Sequence, residues 1–263
     1  KGGIFIDATG DADVAYDAGV PCLKGDDIKH NNQSMSLRFM LGNIDIRKLK
    51  GFLKEVGEPD IQEYPFVEIA SVWGNESPLN LLFQEALMQK RITYEDGKYI
   101  QAFSVPGMPG VMSFNCPEIP DRYDALDPSG ISEGLIVGRR MIKRLHYLFK
   151  SSIPGFEDSF ILSAAEMLGI RESRRIHGKY LLSEQDYADR AKFEDAIART
   201  AYPIDIHGLI DENKLGVKAM ERGEYFEIPY RCLVTDRIGN LLVAGRCISS
   251  TFIAQSSIRI QPT

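Results

Sequence analysis

The sequence predicts an α/β protein whose two ends meet in one parallel sheet, with an α+β body between them. Three observations predict it. Ile4 to Ala8, apolar apart from Asp7, and Leu241 to Ala244 read as parallel strands covered on both faces. Each runs into a small-residue turn with glycine, Ala8-Thr9-Gly10 and Ala244-Gly245. The stretch between them changes to alternating strand patterns and amphipathic helices.

The elements follow in order. Asp11 is placed to cap a short helix through Ala18, stopped by Gly19 and Pro21. Ala12, Ala15 and Ala18 give that helix a small surface, suited to close packing on a sheet. From Ser34, "SMSLRFMLGNID" alternates Met35, Leu37, Phe39 and Leu41 against Ser36, Arg38 and Met40, which predicts a half-buried strand. Ser77-Pro78 reads as an N-cap and an N1 proline, and Leu79, Leu82, Phe83, Ala86 and Leu87 form the stripe of the helix that follows. In "ITYEDGKYIQAFSV", Asp96-Gly97 between apolar runs predicts a hairpin. After a proline-rich connection, Ile131, Leu135, Gly138, Ile142, Leu145 and Phe149 define a long helix. Gly134 and Gly138 predict close approach by a neighbour. Ser183 with Asp186 reads as a capping box starting a helix to about Thr200. Expected boundaries are 1–33 and 232–263 for the end domain and 34–231 for the α+β body.

Composition narrows the function. With 44% hydrophobic and 26% charged residues in 263, the chain has the make-up of a soluble globular protein. A net charge of −6 gives no basic face for nucleic acid. No apolar run reaches the roughly 20 residues a membrane helix needs, and Lys1 opens no signal-peptide pattern. Cys22, Cys116, Cys232 and Cys247 lack C-x-x-C spacing, so reduced thiols in a reducing, cytoplasmic compartment are expected. Four scattered histidines predict no zinc site.

Ligands of open α/β sheets bind beyond the carboxyl ends of the strands, where bare backbone approaches a phosphate. Gly10 and Gly245 suit that use, and equally suit ordinary turns. Asp11 and Asp13 would repel an anion at the first helix, whereas Arg246 would neutralise one. The G-x-G-x-x-G phosphate motif is absent. In "GIRESRRIHGKY", Arg171 and Arg175 share a face if the segment is a strand. They can grip negative charge, or belong to an ion-pair network with Glu172. His207, in the loop "YPIDIHG", suits acid–base work or a plain surface place.

Taken together, "IDATGDADVAYDAG", "PGF", "LGIRESRRIHGKYLLSEQD", "YPIDIH" and "IPYRCLV…NLLVAGRCISSTFIAQSSIRIQPT" resemble, in that order, the bacterial FAD-dependent oxidoreductase family related to glutathione-reductase-type flavoproteins. The resemblance runs from Lys1 to Thr263. It implies a partial FAD/NAD(P)-binding, Rossmann-like domain with an inserted α+β substrate domain, and hydride transfer between an organic substrate and FAD. It implies FAD contacts at Ala8, Thr9 and Gly10, at Gly245 and Arg246, and near the ring at Ser257, Ile258 and Arg259. Arg171, Arg175 and His207 are implied on the substrate side. Family members carry a glycine-rich βαβ unit upstream and a helix beyond "R-x-x-P-T", so an internal piece is expected, inactive by itself and binding FAD weakly or not at all. "AGRCISST" lacks the aspartate that holds the ribityl hydroxyls in related enzymes. The expected partners are a small-molecule substrate and a further copy of the chain, with neither nucleic acid nor membrane. Alternatives from other classes are a non-catalytic carbohydrate-binding domain and a lyase acting on acidic sugars.

Overall fold

The computed structural model describes residues 2–58, 63–72, 77–206 and 217–260. Its elements begin with β1 (Phe5–Asp7), α1 (Asp13–Asp17), β2 (Cys22–Lys24), β3 (Phe39–Gly42), α2 (Ile46–Glu55) and β4 (Glu68–Val72). There follow α3 (Leu79–Met88), α4 (Tyr94–Gly97), β5 (Tyr99–Ser104), β6 (Met112–Phe114), α5 (Pro128–Ser152) and β7 (Phe160–Ala164). The last are β8 (Arg174–Ile176), α6 (Glu184–Ala188), β9 (Ala196–Thr200), β10 (Phe226–Pro229), β11 (Leu241–Val243) and α7 (Phe252–Ile258).

They form two compact units, Lys1–Ser34 with Ile170–Thr263, and Met35–Gly169. The sequence reading sets the second boundary at 231/232, whereas the structure groups 170–231 with the chain ends. Backbone pairing explains the difference. β8 pairs antiparallel with β2, Cys22 opposite Ile176, Ser249 N–H donates to the Cys232 carbonyl, and Thr251 N–H to that of Leu182.

In the discontinuous unit, β1 and β11 pair in parallel with Phe5 opposite Leu241 and Asp7 opposite Val243. The two apolar runs are therefore neighbours, as their pattern predicts. Burial on both faces does not hold: Ile4 is 70% and Ile6 65% exposed. Among the described residues the sheet has two strands, and its core gathers Ala12, Ala15, Val20, Ile176, Leu241, Val243 and Cys247. A second core centres on Tyr187, Phe226, Ile228 and Phe252. The Ser183–Asp186 capping box forms in both directions, but the helix ends at Ala188 rather than near Thr200. Arg190 turns the chain at φ 53 and ties back to the Tyr187 and Ala188 carbonyls and to Glu224. The residues beyond become β9, antiparallel to β10.

The continuous unit is a five-stranded antiparallel sheet in the order β4-β5-β6-β3-β7. Phe39 and Phe114 stack across β3 and β6 at 4.5 Å, and Phe149 of α5 stacks on Phe114 at 5.5 Å. Met35, Leu37, Phe39 and Leu41 are buried, as the alternation predicts. A Cβ on Gly138 would meet Ile119 and Leu37 at 2.9 Å, which is the close approach expected there. The Asp96-Gly97 hairpin does not form. Thr93 and Asp96 make a capping box for α4 instead, and Arg144 grips the buried Asp96 carboxylate at 2.7 and 2.8 Å. The turn of this region lies one strand later, where Val105 N–H donates to the Val111 carbonyl.

Candidate functional site at the ends of the parallel strands

The site is built on the last residue of β1. Asp7 is fully buried, and its Oδ1 accepts from the Thr9 N–H (3.0 Å) and hydroxyl (2.7 Å). Its Oδ2 accepts from the Ala15 N–H at 2.8 Å, and Thr9 Oγ1 accepts from the Asp13 N–H at 2.9 Å. Asp7 and Thr9 thus begin α1, not Asp11: the N-cap is Ala12, at φ 53. This leaves Ala8 and Thr9 exposed at the strand end.

Gly10 adopts φ +83, and a Cβ there would lie 2.9 Å from the Arg246 guanidinium. Only glycine lets that cation rest on the loop. Arg246 Nη2 donates to Asp11 Oδ1 at 2.7 Å, and the Ser173 hydroxyl donates to the same oxygen. Arg174 pairs with Asp13 at 3.0 Å. The acidic start of α1, which by itself would repel an anion, is therefore covered by two arginines. Gly245, at φ +99, has nothing within 4 Å of where a Cβ would stand.

Thr251 caps α7 through the Ala254 N–H, and Gln255, Ser256, Ser257 and Ile258 are all buried. The Ser257 hydroxyl donates to the Tyr202 carbonyl. Arg259 Nη2 donates to the Asp205 carbonyl at 3.1 Å. Burial pulls the Arg259 pKa below its ordinary value, against the opposing charge of Asp205.

The arginine cluster separates into unlike roles. Arg175 is 2% exposed; it pairs with Glu172 at 3.1 Å and donates to the Ser250 and Gly25 carbonyls at 2.9 and 2.7 Å. Those contacts make it part of the ion-pair network that the sequence leaves open, tying two loops together. Arg171 donates to the Ser34 carbonyl, and its own carbonyl accepts from Gln255. His207 lies outside the described residues.

Asp7 and Gln255 escape a reading of the sequence as candidates. A carboxylate ending an apolar run was the one available signal for Asp7; Gln255 gives none. Among the described residues no His, Cys, Asp or Glu group is fit to hold a metal ion, and no helix is long and apolar enough to cross a membrane.

Three buried side-chain atoms lack a hydrogen-bond partner among the described residues: Gln33 Oε1, Arg246 Nε and Arg259 Nε. Two are donors on arginines at positions that the resemblance assigns to FAD. With the open backbone at Gly245, they fit a ligand rich in phosphate and carbonyl oxygen. No curated protein matches the chain, and no solved structure does. One family does, FAD dependent oxidoreductase, along residues 1–263. The chain therefore belongs to the FAD dependent oxidoreductases, with FAD as the cofactor.

Proposed function

We propose that the protein passes a hydride between a small organic substrate and FAD, as a bacterial, cytoplasmic member of the glutathione-reductase-type flavoproteins. One observation carries this reading: β1 and β11 run in parallel and lead into turns at Gly10 and Gly245, both at positive φ, with the Arg246 guanidinium resting on Gly10. Backbone without a Cβ admits a phosphate or ribityl chain at close range. Ala8, Thr9, Gly10, Gly245 and Arg246 are the residues we assign to the phosphate and ribityl side, and Ser257, Ile258 and Arg259 to the ring side. FAD, when bound, supplies the two-electron acceptor, while the protein supplies binding, orientation and charge.

Arg171 is assigned to hold negative charge on the substrate, and His207 to move a proton. Arg175 acts in this scheme by fixing the loops at Gly25 and Ser250. Substrate recognition falls to the α+β body. Association of two copies is supported by β7, an edge strand exposed along its whole length with Phe160, Ile161 and Leu162 uncovered. Buried free thiols at Cys116, Cys232 and Cys247 suit a reducing compartment.

The test is anaerobic mixing of the flavin-loaded protein with a panel of small organic substrates while visible flavin absorbance is followed. Bleaching by one substrate class is expected, and it should be slowed in Arg171→Ala without loss of fold. Failure of the protein as its gene expresses it to take up FAD from excess cofactor would overturn the reading.

A further inference from the structure

We propose that Gln33 accepts the hydrogen bond of the flavin's ring N–H, and that Gln255 orients it for that purpose. The inference rests on the FAD reading above and adds to it a residue outside every segment assigned there.

Gln255 is fully buried on α7. Its Nε2 donates to the Arg171 carbonyl at 2.9 Å and to the Arg246 carbonyl at 3.3 Å. Only the nitrogen of an amide can serve two carbonyl oxygens, so the side chain has one permitted orientation and Oε1 faces the other way. That oxygen accepts from Gln33 Nε2 at 2.8 Å. Turning Gln33 over would set oxygen against oxygen. Gln33 is therefore fixed in turn, 1% exposed, with its own Oε1 buried and without a donor among the described residues.

Folded proteins leave few buried acceptors unmet, and each one calls for a partner. The other two orphaned atoms, Arg246 Nε and Arg259 Nε, belong to residues that also touch Gln255. The Arg246 carbonyl accepts from its side chain, and the Arg259 N–H donates to its carbonyl at 3.1 Å. The three orphans thus comprise two cationic donors and one neutral acceptor, on residues that each hydrogen-bond to Gln255. The polar edge of the isoalloxazine ring presents one N–H between two carbonyl oxygens. Of the three orphans, Gln33 is the acceptor for that N–H, and Arg259, assigned above to the ring side, is a donor for a carbonyl beside it.

The experiment compares FAD with its N3-methyl analogue, which lacks the ring donor, on the protein as its gene expresses it, both wild type and Gln33→Met. Wild type should bind the methyl analogue about tenfold more weakly than FAD, the worth of one buried hydrogen bond. In Gln33→Met that discrimination should shrink towards the steric effect of the methyl group, with FAD affinity reduced by a similar factor. A second readout needs no variant: the N3–H resonance of ¹⁵N-labelled FAD should be resolved and protected from exchange in the wild-type complex. Undiminished discrimination in folded Gln33→Met, or an N3–H that exchanges as in free FAD, overturns the proposal and assigns the Gln33 oxygen to a buried water. Those results would leave FAD binding intact. A wild-type protein that binds neither flavin would instead overturn the functional reading, and this proposal with it.

Discussion

Asp7 ends an apolar run and is wholly buried, a place where a carboxylate without donors is costly. Burial acts to raise its pKa, but hydrogen bonds from Thr9, Ala15 and Val14 outweigh it and hold the group below the ordinary aspartate value. A lowered folded pKa means that the stabilisation is present above the unfolded value of about 3.9. It drains away as pH falls through that value towards the folded one. In Asp7→Asn an amide NH₂ replaces one of the two accepting oxygens and meets N–H donors, so unfolding by urea at pH 7 should become easier by about 1–3 kcal/mol. The gap between variant and wild type should narrow at pH 3, and an equal gap at both values would remove Asp7 as the anchor of the loop. The sequence exposes this residue through its misfit with the apolar run. It cannot expose Gln33, whose orphaned oxygen is decided by Gln255, 222 positions away.

Elements were legible where their causes are local. The stripe of α3, the capping box of α6 and the small-residue face of α5 each depend on residues within a few turns. They fail where a distant partner decides. Asp96-Gly97 carries a hairpin signature, yet Arg144, 48 positions on, captures the carboxylate and a helical turn forms. The end of α6 is set by Arg190 reaching Glu224. Two glycines within helices of one unit make the same distinction measurable. Gly51 in α2 has nothing within 4 Å of where a methyl group would stand, so Gly51→Ala should stabilise by about 0.5–1 kcal/mol through the unfolded chain. Gly138 in α5 would drive its methyl into Ile119 and Leu37, and Gly138→Ala should cost about 1–3 kcal/mol through overpacking. Thermal melts of the two variants should shift in opposite directions; a shared direction would mean that helix propensity, not packing, governs both sites.

On the scale of the whole molecule, the parallel meeting of the chain ends was readable because apolar runs of this kind need a sheet partner. The boundary near 170 was not, because β8 joins its unit through pairing with β2, about 150 residues earlier in the chain. The same topology makes a prediction about independence. Met35–Gly169 is one continuous segment, and its two ends are joined to each other: Ser36 N–H donates to the Gly169 carbonyl at 3.1 Å, and Gly169 N–H to that of Ser36 at 2.7 Å. Closing the ends by backbone pairing removes the fraying that usually afflicts an excised segment. Its core is its own, with Phe39, Phe114, Phe149 and Phe156 in mutual ring contact, and a domain of this size buries enough surface to fold alone. Residues 35–169 expressed by themselves should therefore melt cooperatively, with far-ultraviolet dichroism of mixed helix and antiparallel strand, and should take up no FAD. The other unit, assembled from two segments, offers no single stretch to excise. A 35–169 product that lacks a cooperative melt would show that its sheet needs the flanking chain, and the division of the protein into two folding units would have to be abandoned.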